Sequence, residues 1–179
     1  KGQALRKEIY QRLKYHFQFS NGLLLFAEVH DQQIYGCHIY SGEKKVIAFK
    51  SISNLFHTST IDACFVHNGQ GICGGIKVLD QAKNKMVWNI QPHASRLVHY
   101  NKATLGVLAQ TFENTNKAAS AKLVSIHSQE LLPILQKLAE FPTSVKDYEN
   151  KMTVCWDETN SVKSGHIKRQ TQYPNIDNY

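Results

Sequence analysis

The stretch Pro92-His93-Ala94-Ser95-Arg96 places an imidazole, a hydroxyl and a guanidinium just after a proline turn. That residue set suits a phosphate: the guanidinium supplies a planar fork of donors, and the hydroxyl and imidazole add two more. The competing reading is a loop in which Arg96 meets a local carboxylate. A second basic stretch, KSGHIKRQTQYP, interleaves Lys163, His166, Lys168 and Arg169 with Tyr173 and several amides and hydroxyls. Such a mixture fits contact with a nucleic-acid backbone, against the alternative of a solvated charge run. His57, Cys64, His67 and Cys73 are grouped in sequence. They lack the Cys-x-x-Cys or close His-His spacing of a structural zinc site, so free thiols in a reducing cytosol are the better reading.

Candidates for catalysis are few. Asp31 stands beside His30, Asp62 follows His57, and Asp157 adjoins Glu158, but these acids are neighbours only in sequence. A triad is defined by geometry rather than by adjacency. Ser128, after His127, reads as a helix cap rather than a nucleophile. No arrangement of acids and lysine typical of a metal-dependent nuclease stands out, so a small hydrolase or nuclease has the least support.

Composition bounds the possibilities. The chain has 179 residues, 42% of them hydrophobic, and a formal net charge of +7. This allows one domain with a small extension and a modest core. The positive balance favours a polyanionic partner, and duplex DNA is the expected one. No apolar run reaches membrane length and no signal peptide is visible, so no membrane partner is expected and a cytoplasmic location is the expectation.

These groups need elements to position them. The spacing of Leu5, Ile9 and Leu13 predicts a helix over residues 3–15, with Arg6, Lys7, Arg12 and Lys14 making the other face basic. Phe17 and Phe19 alternate with polar neighbours, predicting a strand that ends at the Asn21-Gly22 turn. Residues 34–50 read as a β-hairpin, Ile34 to Tyr40 and Lys45 to Phe49 joined by a turn at 41–44. HNGQGICGG matches no nucleotide fingerprint and reads as a mobile loop or a series of tight turns. Short strands are expected in KMVWNI, RLVHY and TVCW. Asn101 is placed to cap a helix carrying Leu105, Leu108, Ala109 and Phe112 on one face, and Ser128 another with Pro133 in its first turns. Residues beyond 157 are almost wholly polar, a tail with little to bury.

Four stretches together resemble a known family: LRKEIYQRLKYHFQFSNGLLLFAEV, ISNLFHTSTIDACFVHNGQGICGGIK, WNIQPHASR and WDETNSVKSGHIKRQTQYP. They are similar, in the same order, to the region that follows the catalytic motif in large bacterial adenine-specific DNA methyltransferases of restriction-modification and phage-defence systems. The resemblance implies an α/β or α+β fold. Residues 1–50 would be the C-terminal part of a Rossmann-like methyltransferase sheet, the hairpin matching the antiparallel pair that ends it. Residues 51–150 would be a connecting, DNA-facing α+β region of mixed helices and loops, and residues 151–179 a polar tail leading to target recognition.

The resemblance also implies that S-adenosylmethionine belongs to the parent protein and not to this segment. No Asn-Pro-Pro-aromatic motif occurs in the sequence. The catalytic and cofactor half would then lie upstream, and the remainder of the methyltransferase chain would be a partner. In such an enzyme the target adenine leaves the helix, while other parts of the protein hold the duplex by its phosphates. The expectation for this segment is therefore noncatalytic: support of the catalytic domain and contact with DNA through His93, Ser95, Arg96, Lys163, Lys168 and Arg169. The alternative is a self-contained interaction module of a bacterial defence complex.

Overall fold

The computed structural model describes residues 2–143, 147 and 157–169. It opens on helix α1 (Gln3–Arg12), which stops where Leu13 turns to extended backbone at φ −65° and ψ 129°. The helix is therefore shorter than the 3–15 span predicted from apolar spacing. Leu13 begins strand β1 (Leu13–Ser20) and is fully buried, whereas Leu5 at the other end of the supposed stripe is 64% exposed. Tyr10 anchors the helix instead, buried with its hydroxyl donating to the Ala121 carbonyl at 2.6 Å. Enclosure in that apolar setting pushes the Tyr10 hydroxyl up to about 12, Glu113 adding to the rise and Arg6 opposing it.

Strands β2 (Ile34–Tyr40) and β3 (Ala48–Leu55) do not form the expected hairpin. Both flank β1: β2 runs antiparallel to it and β3 parallel, giving a sheet ordered β2-β1-β3-β6, with β6 (Val98–Asn101) antiparallel to β3. The connection between β2 and β3 passes across the start of β1. Ser41 and Lys44 donate backbone N–H groups to the carbonyls of Arg12 and Gln11. The Lys44 ammonium bonds the Leu13 and Ala48 carbonyls at 2.9 and 2.8 Å, tying the crossing to both strands. The antiparallel pair expected to end a methyltransferase sheet is thus absent among residues 34–50. The observed arrangement is an α+β fold on a mixed four-stranded sheet.

Alternation along the strands separates two cores. On one face Phe17, Phe19, Ile52 and Leu55 pack with Cys64 of helix α2 (Ser59–Val66) and Leu97. On the other, Leu13, Phe49, Val98 and Tyr100 pack with Tyr10 and with Leu105, Leu108 and Ala109 of helix α3 (Lys102–Glu113). Leu13 joins that second face because the register slips between Leu13 and Tyr15. Helix α3 starts as the sequence indicates: the Asn101 side chain accepts from the Thr104 N–H at 2.9 Å. Ser128 likewise caps a single turn at Gln129–Leu131, which runs into helix α4 (Leu132–Ala139) with Pro133 in its first turn.

A separate two-stranded ribbon, β4 (Lys77–Asp80) with β5 (Lys85–Trp88), projects its Trp88 ring onto Phe56, ring centres 4.6 Å apart. Residues Lys1–Glu140 form one unit and Phe141–Tyr179 a second, which contains the six-residue helix α5 (Glu158–Lys163). The strand expected in TVCW lies outside the described residues.

Candidate nucleic-acid interface

The residues expected to grip a phosphate do come together, but the group that matters most is turned inward. His93 precedes a single turn at Ala94–Arg96; its Nδ1 accepts from the Ser95 N–H at 3.1 Å and lies 2.6 Å from Ser95 Oγ. Arg96 has no exposed surface. Its guanidinium donates to the Gln91 carbonyl at 2.9 Å and to the Asn54 and Ser53 carbonyls at 3.0 and 3.4 Å. Asn54 sits at a φ of 55°, within the slip in register between the Phe17–Ile52 and Phe19–Leu55 pairs, so regular pairing is interrupted at the Ser53 and Asn54 carbonyls. Arg96 supplies those donors. It is a buried clamp on β3, held by carbonyls and not by a local carboxylate.

The surroundings of Arg96 are unusually polar for an interior. Burial lowers its affinity for a proton, while Cys64 and Cys73 nearby act the other way. Burial pushes the Cys64 thiol up, a rise that a hydrogen bond from the His93 backbone and the charge of Arg96 reduce. His127, 6% exposed, has no hydrogen-bond partner on either ring nitrogen among the described residues. Its proton affinity falls to about 4, by burial first and the Arg96 charge second. His16 on β1 is also buried and also drops to about 4, by burial and then by its neighbour His38, ring centres 4.6 Å apart. No signal in the sequence marks either histidine as interior. Among the described residues no group of three or more His, Cys, Asp or Glu is arranged for a metal ion.

The second basic stretch lies in the other unit. Asp157 caps α5, accepting from the Asn160 N–H at 3.0 Å. Lys163 ends that helix, and Lys168 beyond it is exposed. Arg169 donates to the Glu158 carboxylate at 2.8 Å with both side chains exposed. Such a pair is worth little in water and opens readily to a competing anion. Tyr173 lies outside the described residues.

Two surface depressions meet at strand β6. One, of about 660 Å³, runs between the Ser95 turn and helices α3 and α4; His99, Gln129 and Glu130 line it, and Gln129 Oε1 accepts the His99 backbone N–H at 2.8 Å. The other, of about 330 Å³, opens among Lys14, Tyr15, Lys44, Lys50, His99 and Asn101. Burial, and then the charge of Lys50, lowers the proton affinity of His99. Sequence reading took Lys14 for part of a solvated basic helix face and singled out neither Lys44 nor Lys50, because the three lie in separate segments. Comparison with protein-family models, curated proteins and solved structures finds no match for the chain.

Proposed function

We propose that the chain is a noncatalytic segment of a site-specific DNA adenine methyltransferase, supporting the catalytic domain and contacting the duplex through exposed cations. The observation that carries the contact is charge without local compensation. With a net charge of +7, the chain exposes Lys14, Lys163 and Lys168 and half-exposes Lys50, and none of the four meets a carboxylate among the described residues. Arg96 leaves the contact set because it is enclosed, and His93 with it; Ser95, half-buried at the groove, stays. The four motif stretches in family order support the parent assignment, in a cytoplasmic enzyme whose remaining chain is the partner.

The glycine-rich stretch is not ordered as a loop that would hold S-adenosylmethionine. The glycines of the 67–76 stretch lie between helix α2 and strand β4, with Gly69, Gly71 and Gly74 at positive φ. A cofactor loop of the Rossmann kind needs the reverse order, from a strand into a helix. These residues do not fit that group.

Contact with DNA is tested by fluorescence anisotropy of a labelled duplex at increasing KCl. Affinity that falls linearly on a log–log plot supports the reading, since neutralised phosphates release counterions. Absent or salt-independent binding removes it. One feature favours a second reading, a protein-interaction module: edge strand β2 presents Ile34, Ile39 and Tyr40 to solvent, at 62%, 43% and 50% exposure. A stable self-associated species in sedimentation, with no DNA binding, selects it.

A further inference from the structure

We propose that the hollow bounded by Lys14, Lys44, Lys50 and His99 is a phosphate-binding site that takes one phosphodiester of a nucleic-acid strand. The inference rests on the reading above and names the residues that would carry its phosphate contact.

Strand register assembles the site. Tyr15 of β1, Lys50 of β3 and His99 of β6 are partners across three adjacent strands, so their side chains stand in one row on one face. Lys14 precedes Tyr15, its ammonium 5.4 Å from the Tyr15 ring centre. Phe65 of α2 meets Tyr15 edge-on at 5.5 Å, and the Lys50 ammonium lies 5.7 Å from its ring. The aromatic rings therefore orient two ammonium groups without neutralising either.

Lys44 closes a third side. Two of its three N–H donors go to the Leu13 and Ala48 carbonyls, which pins it and leaves one donor. Asn101 spends its side-chain oxygen on the Thr104 N–H, leaving its amide N–H groups as donors at the rim.

Charge balance points to an anion. None of the residues lining the hollow is acidic. Glu43 is next to Lys44 in sequence, but its carboxylate goes to Arg12 at 2.7 Å. Elsewhere among the described residues Lys83 and Arg169 have carboxylates of their own. Here three lysines line a hollow with none, so an oxyanion meets positive charge there without a competing carboxylate. The volume of about 330 Å³ admits a phosphate with its first waters, and the aromatic walls give a base or sugar an apolar surface beside it.

The test combines two measurements on the whole chain. In the first, duplex affinity is followed against KCl for the wild type, for Lys14→Gln/Lys50→Gln, and for a control, Lys85→Gln/Lys122→Gln, that removes the same charge elsewhere. Loss of the one phosphate contact lowers the log–log slope by about 0.9, and the control changes it much less. In the second, inorganic phosphate is titrated while the His99 ring signals are followed by NMR; they move in the wild type and not in Lys14→Gln/Lys50→Gln. Circular dichroism shows whether each variant is folded.

Equal slopes for the wild type and the Lys14/Lys50 variant, with His99 unmoved by phosphate, overturn the site and leave the DNA reading standing. Equal flattening by the control means diffuse charge and also overturns it. No duplex binding by the wild type, with His99 still moved by phosphate, sinks the DNA reading and keeps the oxyanion site.

Discussion

Two buried neutral histidines make the fold sensitive to mild acid. His16 and His127 are 9% and 6% exposed, and each is held near pKa 4 against an ordinary 6.5. The unfolded chain therefore binds more protons than the folded one between those values, so stability rises with pH across that window and is lost as pH falls below about 6.5. From about pH 7.5 to about pH 5.5, where most carboxylates still carry their charge, each ring costs about 1.4 kcal/mol. The two together cost close to 3 kcal/mol. With a urea m-value of about 2 kcal/mol/M, the unfolding midpoint drops by about 1.4 M. His127→Met is the discriminating variant. Neither ring nitrogen of His127 has a partner among the described residues, so an apolar side chain of similar size leaves no donor or acceptor newly stranded. The variant should match or exceed wild-type stability at neutral pH and lose about half of the acid shift, near 0.7 M. A wild-type midpoint that stays flat over this range refutes the reasoning, as does a His127→Met variant that keeps the whole shift.

Three other substitutions probe separate parts of the scaffold. Arg96→Met keeps bulk but strips donors from the Gln91, Ser53 and Asn54 carbonyls; urea unfolding should show a loss on the order of 3 kcal/mol. An unchanged midpoint would mean that the clamp is dispensable. Gly22→Ala would set a methyl 2.9 Å from Trp88 Nε1 and 3.0 Å from its Cε2, and Trp88 is held between Phe56 and the Lys77 ammonium. In a Trp156→Phe background, a cost of about 1–3 kcal/mol and a shifted Trp88 emission are expected. Asn101→Ala removes the cap of α3 and should cost about 1 kcal/mol by the same assay, whereas Asn101→Asp should retain most of it.

Much of the local structure was legible because its causes are local. The alternation of Phe17 and Phe19, the Asn21-Gly22 turn, the Asn101 and Ser128 caps and the early Pro133 each depend on neighbours within one turn or one strand. The partners of β2 were not legible. Residues 34–50 have the alternation and turn of a hairpin, but alternation fixes which face a side chain takes and not which strand lies beside it. That choice was made by β1, which takes a strand on each edge, and by Lys44, whose bonds carry the connection across its start. The helix boundary was misplaced for a related reason. Leu13 fits a helical stripe by spacing, yet the ladder to β2 and full burial await it one residue beyond Arg12.

The candidate site shows the same limit applied to charge. Residue type nominated Arg96 for a phosphate, took Lys14 for part of a solvated helix face and did not single out Lys50. The fold reverses the ranking through the hydration of the two groups. A guanidinium is weakly hydrated and its planar fork can serve several carbonyls at once, so it survives burial where the pairing of β3 slips at Asn54. An ammonium is a compact, strongly hydrated charge, and its carbon stem lets it lie along aromatic rings while the charge stays wet. Lys50 does so against Phe65 and Lys14 against Tyr15. The cation best suited to bidentate phosphate recognition is thus consumed by the backbone. The weaker point charges are left at the surface, where three strands in register bring them within reach of a common anion.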